Sequence, residues 1–402
     1  MIMSRGTVRN INVRITVNNF KCAGCFACYN ACPYNAIEML LSEEGFYIPI
    51  IDDEKCRNCN VCKEVCPIIS PPSLERYLKP TTYACWSKDK EVRIASSSGG
   101  VFSELAQAVL KMGGTVYGVV WDINELKPVH VGASTIDMLK EMRGSKYVQS
   151  YIGKSYKQVV EYLKQGTPVM FSGTPCQVSA LYNIVPPKFR HRLYTVNVVC
   201  HGVASIKFFK MYLKYVAKNK KVISINMRDK SHGWTKSGVK IKFDNGTAYI
   251  SSHREDIFFF GYLNNLVLNN ICYECPFSRI PAVGDITLGD FWGVPKGLYD
   301  ESGVSIMLIN SEKGKELVEL VKDRLTLVSV SLEDIVKTNP RIIIGSIGKP
   351  IEREHTMKLI SENRSRDLFK LLKWLKFRND LLSIIIGYPS IVLRRLQKIL
   401  RP

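Results

Sequence analysis

The chain has 402 residues, 46% of them hydrophobic and 23% charged, with a formal net charge of +20. Too apolar for a disordered chain, it is long enough for two or three domains with cores of their own. Its 13 cysteines cluster in sequence, which argues against a disulfide scaffold and for metal in a reducing, cytoplasmic compartment. The start MIMSRGTVRN lacks the apolar run of a secretory signal, and the longest apolar stretch, Leu381 to Leu393, is too short to span a bilayer. The positive charge suits a Lys-rich solvated surface, or steering of an acidic electron carrier or a phosphate-bearing cofactor. Neither a helix-turn-helix nor a zinc-finger pattern accompanies it, so nucleic acid is not the expected partner.

The first eight cysteines form one internal repeat. Cys22, Cys25, Cys28 and Cys32, then Cys56, Cys59, Cys62 and Cys66, each read C-x2-C-x2-C-x3-C-P. This is the bacterial ferredoxin run, in which three thiolates hold one cubane and the fourth ligates the other. Cys22, Cys25, Cys28 and Cys66 are expected on one [4Fe–4S] cluster, and Cys56, Cys59, Cys62 and Cys32 on a second. Ala23 and Gly24 are small enough for backbone N–H groups to approach the sulfurs. A pair of zinc sites would need only four thiolates each and does not call for two full runs. SPPSLERYLKPTT, Ser70 to Thr82, is Pro-rich and aperiodic, and reads as a linker.

Beyond it helices and strands alternate. SSSGGVFSELAQAVLKMGG reads as a Ser-capped helix with Val101, Leu105 and Val109 on one face, and TVYGVVW as a strand. YIGKSYKQVVEYLKQG is a second amphipathic helix, PVMFSG a buried strand, and a helix begins at about Gln177. LYTVNVVC is a strand ending at Cys200. The fold class is therefore an α+β ferredoxin-like N-terminal domain over residues 14–70 and a linker over 71–82. An α/β domain with a mostly parallel sheet follows over 83–330, then a helical C-terminal region over 331–402.

Cys176 and Cys200 fall at the carboxyl ends of strands, where open α/β sheets bind ligands. With Cys272 and Cys275 of CYECP they make a four-thiolate set, whereas Cys85 in TTYACWS reads as a small buried hydrophobe. For Cys176 three readings stand side by side: a third iron–sulfur cluster, plain packing, or a nucleophile paired with His201.

SSSGGVFSELA, RGSKYVQS, FSGTPCQVSAL, VVCHGVAS, MRDKSHGW, CYECPF and GDITLGDFWG occur in that order. Together they resemble the coenzyme F420 hydrogenase/dehydrogenase beta-subunit family over roughly residues 15 to 330, here with a fused two-cluster ferredoxin domain. The resemblance implies an FAD beside one further [4Fe–4S] cluster, with Cys176, Cys200, Cys272 and Cys275 as its ligands. It implies electron exchange between a two-electron donor or acceptor, the deazaflavin F420 or another metabolite, and a redox partner protein such as a ferredoxin or a catalytic subunit. For the FAD it points to the turn Ser97, Ser98, Gly99 and Gly100, whose helix N-terminus suits a pyrophosphate. It also points to Arg143, Gly144, Ser145, Lys146 and Tyr147, to Gly173 and Thr174, and to Asp285 and Asp290 for ribityl or ribose hydroxyls. His201 and Lys230 are candidate catalytic groups in a site where flavin carries the chemistry, and Arg228, Lys230 and Trp234 are candidates for the rim that meets the external molecule. A non-enzymatic wiring subunit and a thiol enzyme with a regulatory ferredoxin domain are the competing functions.

In the C-terminal region, Leu368, Leu371, Leu372 and Leu375 share a helical face, with Lys370, Lys373 and Lys376 elsewhere. A basic amphipathic helix of this kind usually packs on its own domain and more rarely lies on a membrane surface.

Overall fold

A computed structural model describes residues 21–345 and 347–386. Residues 14–20 of the expected ferredoxin domain, the chain start MIMSRGTVRN, most of the Leu381–Leu393 run and the basic end after it lie outside the described residues.

Two short cysteine-bearing helices, Ala27–Ala31 and Val61–Glu64, flank a hairpin of β1 (Ile37–Leu41) and β2 (Tyr47–Ile51), paired antiparallel with Ile37 opposite Ile51. This module is clamped to the body by buried amides. Gln149 accepts from the Tyr47 N–H (2.8 Å) and donates to the Ala23 carbonyl (3.2 Å), and Asn30 donates to Gly153 O (2.9 Å). Gly24 lies under that clamp at φ +58°, where a Cβ would run into the Gln149 amide, so glycine alone fits. Phe26, 1% exposed, sets its ring edge-on to Tyr47 and Tyr151 at 5.1 and 5.0 Å.

The body is built on an eight-stranded sheet. Its strands are β3 (Thr81–Ser87), β4 (Thr115–Asp122), β5 (Lys127–Ala133), β6 (Val169–Gly173) and β7 (Leu193–Val198). A separate three-stranded sheet holds β8 (Val222–Asp229), β9 (Gly238–Phe243) and β10 (Ala248–Ser252) in the order β10-β9-β8. The large sheet is completed by β11 (Ile286–Asp290), β12 (Ser305–Ile309) and β13 (Leu325–Ser329), in the order β13-β3-β12-β11-β7-β6-β4-β5. The expectation of a mostly parallel sheet needs correcting to a mixed one. β4, β6, β7 and β11 run parallel in the centre, and the strands outside them pair antiparallel. A short hairpin reverses only β5 against β4; β3 meets β12 and β13 antiparallel across more than 200 residues of chain, and helical crossovers that enforce parallel pairing serve the centre.

Alternation along the strands sorts the core. Val116, Met170, Val196 and Ile286 meet Val101, Leu105 and Val109 of the Val101–Lys111 helix on one face. Tyr117, Val169 and Phe171 meet the Ser155–Lys164 and Pro175–Ile184 helices on the other. Each fully buried Val or Leu contributes about 1.5–3 kcal/mol. Cys85 belongs to the first of these cores at 0% exposure.

Two helix starts differ from expectation. The Val101–Lys111 helix has no side-chain cap, because Gly100 at φ +83° precedes it instead of a serine. The later helix starts at Pro175 rather than Gln177, with Gln177 Oε1 accepting from the Thr174 N–H (2.9 Å), which puts Cys176 in the first helical turn. The stretch after Ser70 is strapped down: Arg76 donates to Val283 O (2.8 Å), and the Tyr77 N–H donates to Asn310 O (2.8 Å). At the C-terminal end, Leu368, Phe369, Leu372 and Leu375 of the Ser365–Ile386 helix pack into the body, and Phe369 stacks on Tyr215 at 4.4 Å. Among the described residues, no helix is long and apolar enough to cross a membrane.

Candidate redox site

The cysteine neighbourhoods cross over between the two N-terminal runs. Burial pushes the Cys22 thiol up to about 11; the Gly24 N–H aimed at its sulfur (3.3 Å) opposes this and the Cys66 sulfur adds to it. Cys28 is raised by burial and by the nearby Cys22 and Cys66. Cys32, Cys56, Cys59 and Cys62 border a cavity of about 310 Å³. Cys59 is exposed, whereas Cys32 and Cys66 are buried. Among the described residues, no three His, Cys, Asp or Glu side chains converge tightly enough for a single metal ion.

Cys176, Cys200, Cys272 and Cys275 form a second neighbourhood at the carboxyl rim of the central strands. Burial pushes Cys176 up to about 12; the Thr174 hydroxyl, 3.1 Å from its sulfur, opposes the rise, and Cys275 and Cys200 add to it. Cys200 goes up to about 11 by burial and Cys275. Cys272 is raised by burial foremost, with Cys200, Cys275 and Cys176 all adding. A thiol held this far up is a poor nucleophile. His201 aims Nε2 at Asn265 Oδ1 (2.8 Å) and lays its ring against Tyr262, so it is built into the wall around these thiols. The two cysteine groups also sense each other. Cys176 is among the neighbours that raise Cys25, and the buried Tyr156 is raised by burial and then by both Cys25 and Cys176.

A strap that the sequence does not single out closes this site. Arg341 donates to the carbonyls of His201 (2.8 Å) and Cys272 (3.4 Å), and its charge lowers Cys200 against the effect of burial. The Gly345 carbonyl accepts from the Cys275 N–H (2.8 Å), and a Cβ on Gly345 would collide with the Cys275 carbonyl.

Beside it cluster several of the expected cofactor residues, at what is proposed below as the cofactor pocket. Ser97 Oγ lies 2.9 Å from Ser145 Oγ and accepts from the Ser145 N–H (2.7 Å). Arg228 Nη2 donates to Ser97 O (3.2 Å) and to Asp290 Oδ1 (2.7 Å), and Trp234 Nε1 donates to the same Asp290 oxygen (2.7 Å). Arg228 sits 5.0 Å over the Trp292 ring, which stacks on Trp234 at 5.3 Å and is 38% exposed. Arg228 Nε is buried with no protein partner. Tyr147 lies 5.1 Å from Tyr262, and Tyr262 is raised by burial and then by Cys200, Tyr147 and Cys272, so these two rings fill the space between pocket and thiols. Gly144, at φ +82°, has open space where a Cβ would be, and Arg143 donates to Ser103 Oγ (3.0 Å).

The remaining candidates all have partners within the protein. Asp285 sits at the opposite end of β11 from Asp290, about 17 Å of strand away. Its carboxylate accepts from Thr195, Tyr182 and Ser311 and faces Arg76 and Lys313, which makes it a buried structural hub. Ser98 Oγ donates to Val304 O (2.7 Å), and the Gly99 N–H donates to Ser305 Oγ (2.9 Å). A Cβ at Gly99 would collide with the Cys85 carbonyl, and one at Gly100 would crowd Val92 and Arg93, so packing on β3 and the neighbouring helix is enough to demand both glycines. The Lys146 ammonium caps the end of the Ile136–Met142 helix through the carbonyls of Glu141, Met142 and Arg143, although burial pushes it down to about 7. Lys230 binds the carbonyls of Arg93 (2.8 Å) and Ser302 (2.6 Å) and ties loops together rather than facing a reactant. Gly173 is fixed by contact with Gln177 and Phe171, and Thr174 serves the helix start and the Cys176 sulfur.

Comparison with known proteins identifies the family. The model for the N-terminal part of the coenzyme F420 hydrogenase/dehydrogenase beta subunit matches residues 82–156, and the model for the C-terminal part of the same family matches residues 166–334. A 4Fe-4S dicluster domain model matches residues 21–68. An uncharacterized ferredoxin from Methanocaldococcus jannaschii is 40% identical over 55 residues, 14% of this chain and 70% of that protein. An uncharacterized polyferredoxin-like protein from the same organism is 38% identical over 73 residues, 16% of this chain and only 42% of that protein. Among solved structures, a chain of the F420-reducing [NiFe] hydrogenase complex from Methanosarcina barkeri is similar at a TM-score of 0.47 and 17% identity, covering 67% of this chain and 92% of that one. Both parts of one family model match in order across more than half of the chain, behind a dicluster domain. The chain therefore belongs to the coenzyme F420 hydrogenase/dehydrogenase beta-subunit family, as an iron–sulfur electron-transfer protein of that type with a fused ferredoxin module.

Proposed function

We propose that the chain is an iron–sulfur flavoprotein oxidoreductase. It would hold two [4Fe–4S] clusters in the N-terminal module, a third on Cys176, Cys200, Cys272 and Cys275, and FAD in the pocket of Ser97, Ser145, Tyr147, Arg228 and Asp290. Bound there, a flavin supplies the junction between two-electron exchange with a metabolite and one-electron exchange with clusters. The residues support the fit. Arg228, held charged against burial by Asp290 and Tyr147, keeps its Nε buried and unmatched beside the two serines, as a donor awaiting an anionic or carbonyl-bearing group does. Trp292 presents a partly exposed ring at the mouth, suited to stacking on a planar donor or acceptor, the deazaflavin F420 or another metabolite. Tyr147 and Tyr262 exclude water between pocket and thiols. A redox partner protein, a ferredoxin or a catalytic subunit, would dock at the exposed Cys59 side.

The observation that carries this reading is continuity. Tyr262 neighbours Cys200 and Cys272, Cys176 neighbours Cys25, and Cys28 neighbours Cys62, so the three thiol groups form one uninterrupted series. The test is cofactor stoichiometry on anaerobically prepared protein. About twelve irons and one FAD per chain are expected, falling to about eight irons in Cys272→Ser with the ferredoxin signals intact. Unchanged iron in that variant overturns the ligand set. Clusters without flavin in the parent protein reduce the chain to a wiring role. Turnover of F420H2 or NADPH against a reduced-ferredoxin control then separates the candidate donors.

A further inference from the structure

Behind the rim cysteines lies a chain of polar side chains, His130, Ser150 and Gln177, all buried. The His130 ring stacks flat on Phe171 at 5.2 Å. Its Nε2 lies 3.3 Å from the Ser172 carbonyl and its Nδ1 lies 3.1 Å from Ser150 Oγ. A carbonyl only accepts, so Nε2 carries the proton and Nδ1 is bare. Burial pushes His130 down to about 3 against the pull of the Ser172 carbonyl, which keeps the ring neutral. Ser150 therefore gives its hydroxyl proton to Nδ1, and its oxygen accepts from Gln177 Nε2 (2.9 Å). The other end of that amide, Oε1, accepts from the Thr174 N–H (2.9 Å). A flipped amide would set donor against donor at Thr174, so both ends of the chain select the same arrangement of protons.

The chain ends on a cysteine. Thr174 Oγ1 lies 3.1 Å from the Cys176 sulfur. A ligating thiolate has no proton to give, so there the hydroxyl is the donor and the sulfur accepts. Little slack remains along the way. The Tyr156 hydroxyl donates to the Gln177 carbonyl (3.0 Å), and a Cβ on Gly173 would press on Gln177 Oε1 and the Phe171 ring. The backbone and the amide of Gln177 are thus both held, and through them the residue that presents its hydroxyl to Cys176. A hydrogen bond to a ligand sulfur stabilises the extra negative charge of a reduced cluster, and the groups that orient such a donor share in its effect.

We propose that His130, Ser150 and Gln177 are positioning residues that keep the Thr174 hydroxyl on Cys176, and that this hydroxyl raises the reduction potential of the rim cluster. The proposal rests on the third cluster proposed above. The experiment is an anaerobic redox titration of the full-length, cofactor-loaded protein followed by electron paramagnetic resonance, the rim cluster being the signal absent from Cys272→Ser. Thr174→Val keeps the side-chain shape without the hydroxyl and should make one-electron reduction about tenfold less favourable, a midpoint lower by about 59 mV. Thr174→Ser restores the donor and should keep the parent midpoint. Ser150→Ala leaves Gln177 Nε2 buried without its acceptor and should lower the midpoint by roughly half as much as Thr174→Val. Ser155→Ala is the control: its hydroxyl is just as buried but bonds the His130 carbonyl (3.2 Å) and not the ring, so the midpoint should stay. With about twelve irons per parent chain, an unmoved midpoint in Thr174→Val overturns the proposal. Equal shifts from Ser150→Ala and Ser155→Ala also overturn it, because general loosening would then explain both. If Thr174→Val loses the rim cluster, Ser150→Ala carries the test, and an unmoved midpoint there is the refutation. About eight irons in the parent removes the third cluster itself, and this proposal with it.

Discussion

Replacing Asp285 with Asn separates the two aspartates of GDITLGD by consequence. Asp285 accepts from the Thr195 N–H (2.9 Å) and hydroxyl (2.7 Å), the Tyr182 hydroxyl (3.0 Å) and Ser311 (2.7 Å), and it faces Arg76 at 3.4 Å and Lys313 at 3.7 Å. Its side chain is 1% exposed and that of Arg76 is 7% exposed, so solvent cannot replace the lost charge. Stranding a buried cation in this way costs about 3–5 kcal/mol. With an unfolding entropy of about 2.1 cal/mol/K per residue over 402 residues, that loss lowers the melting midpoint by about 4–6 °C. The assay is anaerobic thermal unfolding followed by circular dichroism, with iron and flavin counted per folded chain. Asp285→Asn should melt early yet keep both counts, because the pocket lies at the other end of β11. The acid limb gives a second signature. Burial raises this carboxyl, but Lys313 and Arg76, with the Thr195 and Ser311 hydroxyls, overcome that and hold it below its ordinary value. The stability it contributes is therefore present above the unfolded value near 4 and lost as pH falls through the lower folded value, and the variant should lack that share of the acid loss. A midpoint within about 1 °C of the parent, together with weakened flavin binding, would refute the structural assignment and return Asp285 to the cofactor.

Two further substitutions address the strap over the rim cysteines. Arg341→Gln should leave iron content unchanged but make the cluster proposed on the rim cysteines harder to reduce, because a positive charge close to Cys200 favours the more negative, reduced state. A unit charge acting over roughly 10 Å through an effective dielectric of about 20 is worth about 1–2 kcal/mol, or on the order of 50 mV for one electron. Redox titration followed by electron paramagnetic resonance reads the shift, and an unmoved midpoint refutes the electrostatic role. Gly345→Ala drives a methyl group into the Cys275 carbonyl, which must move and take the ligand loop with it. Iron should fall toward the Cys272→Ser level while the N-terminal pair stays loaded, and full iron content would count against the loop as a ligand carrier.

How much of this was legible in the sequence depended on whether a residue's task is local. The ferredoxin runs were legible because the ligand spacing is itself the chemistry, and Gly24 N–H does approach the Cys22 sulfur. Cys85 read correctly as core because a lone cysteine between β-branched and aromatic residues has little else to do. The parallel centre of the sheet followed from alternating helices and strands, but its antiparallel flanks did not, since pairing partners such as β3 and β12 lie more than 200 residues apart. The carbonyl partners of Lys146 and Lys230 were hidden for a related reason. A lysine next to a glycine-rich turn looks like an anion ligand until the carbonyls it binds, contributed by a helix end or by distant loops, are in view. Arg341 and Gly345 left no mark at all, because TNPRIIIGS carries no motif and their partners, His201, Cys272 and Cys275, are about 70 to 140 residues away.

The N-terminal repeat shows how context gives identical motifs different work. Both runs place cysteines at the same spacing, and each contains a short helix that carries its third cysteine. The Ala27–Ala31 helix is wedged between the hairpin and the body, with Phe26 and Ala27 at 1% exposure, so Cys25 sits inside the molecule within reach of Cys176. The Val61–Glu64 helix has no buried residue, and Cys59 opens to solvent. A long-range clamp, not the motif, makes this difference: Gln149 and Asn30 fasten the first run near its start and middle, whereas Asn183 holds the second only at its end, through Val65 and Ser70. The repeat thus has an inner member facing the rim cysteines and an outer member facing solvent. That polarity is what a conduit between a buried pocket and a second protein requires, and it explains why the module is docked rigidly instead of being left on a free linker.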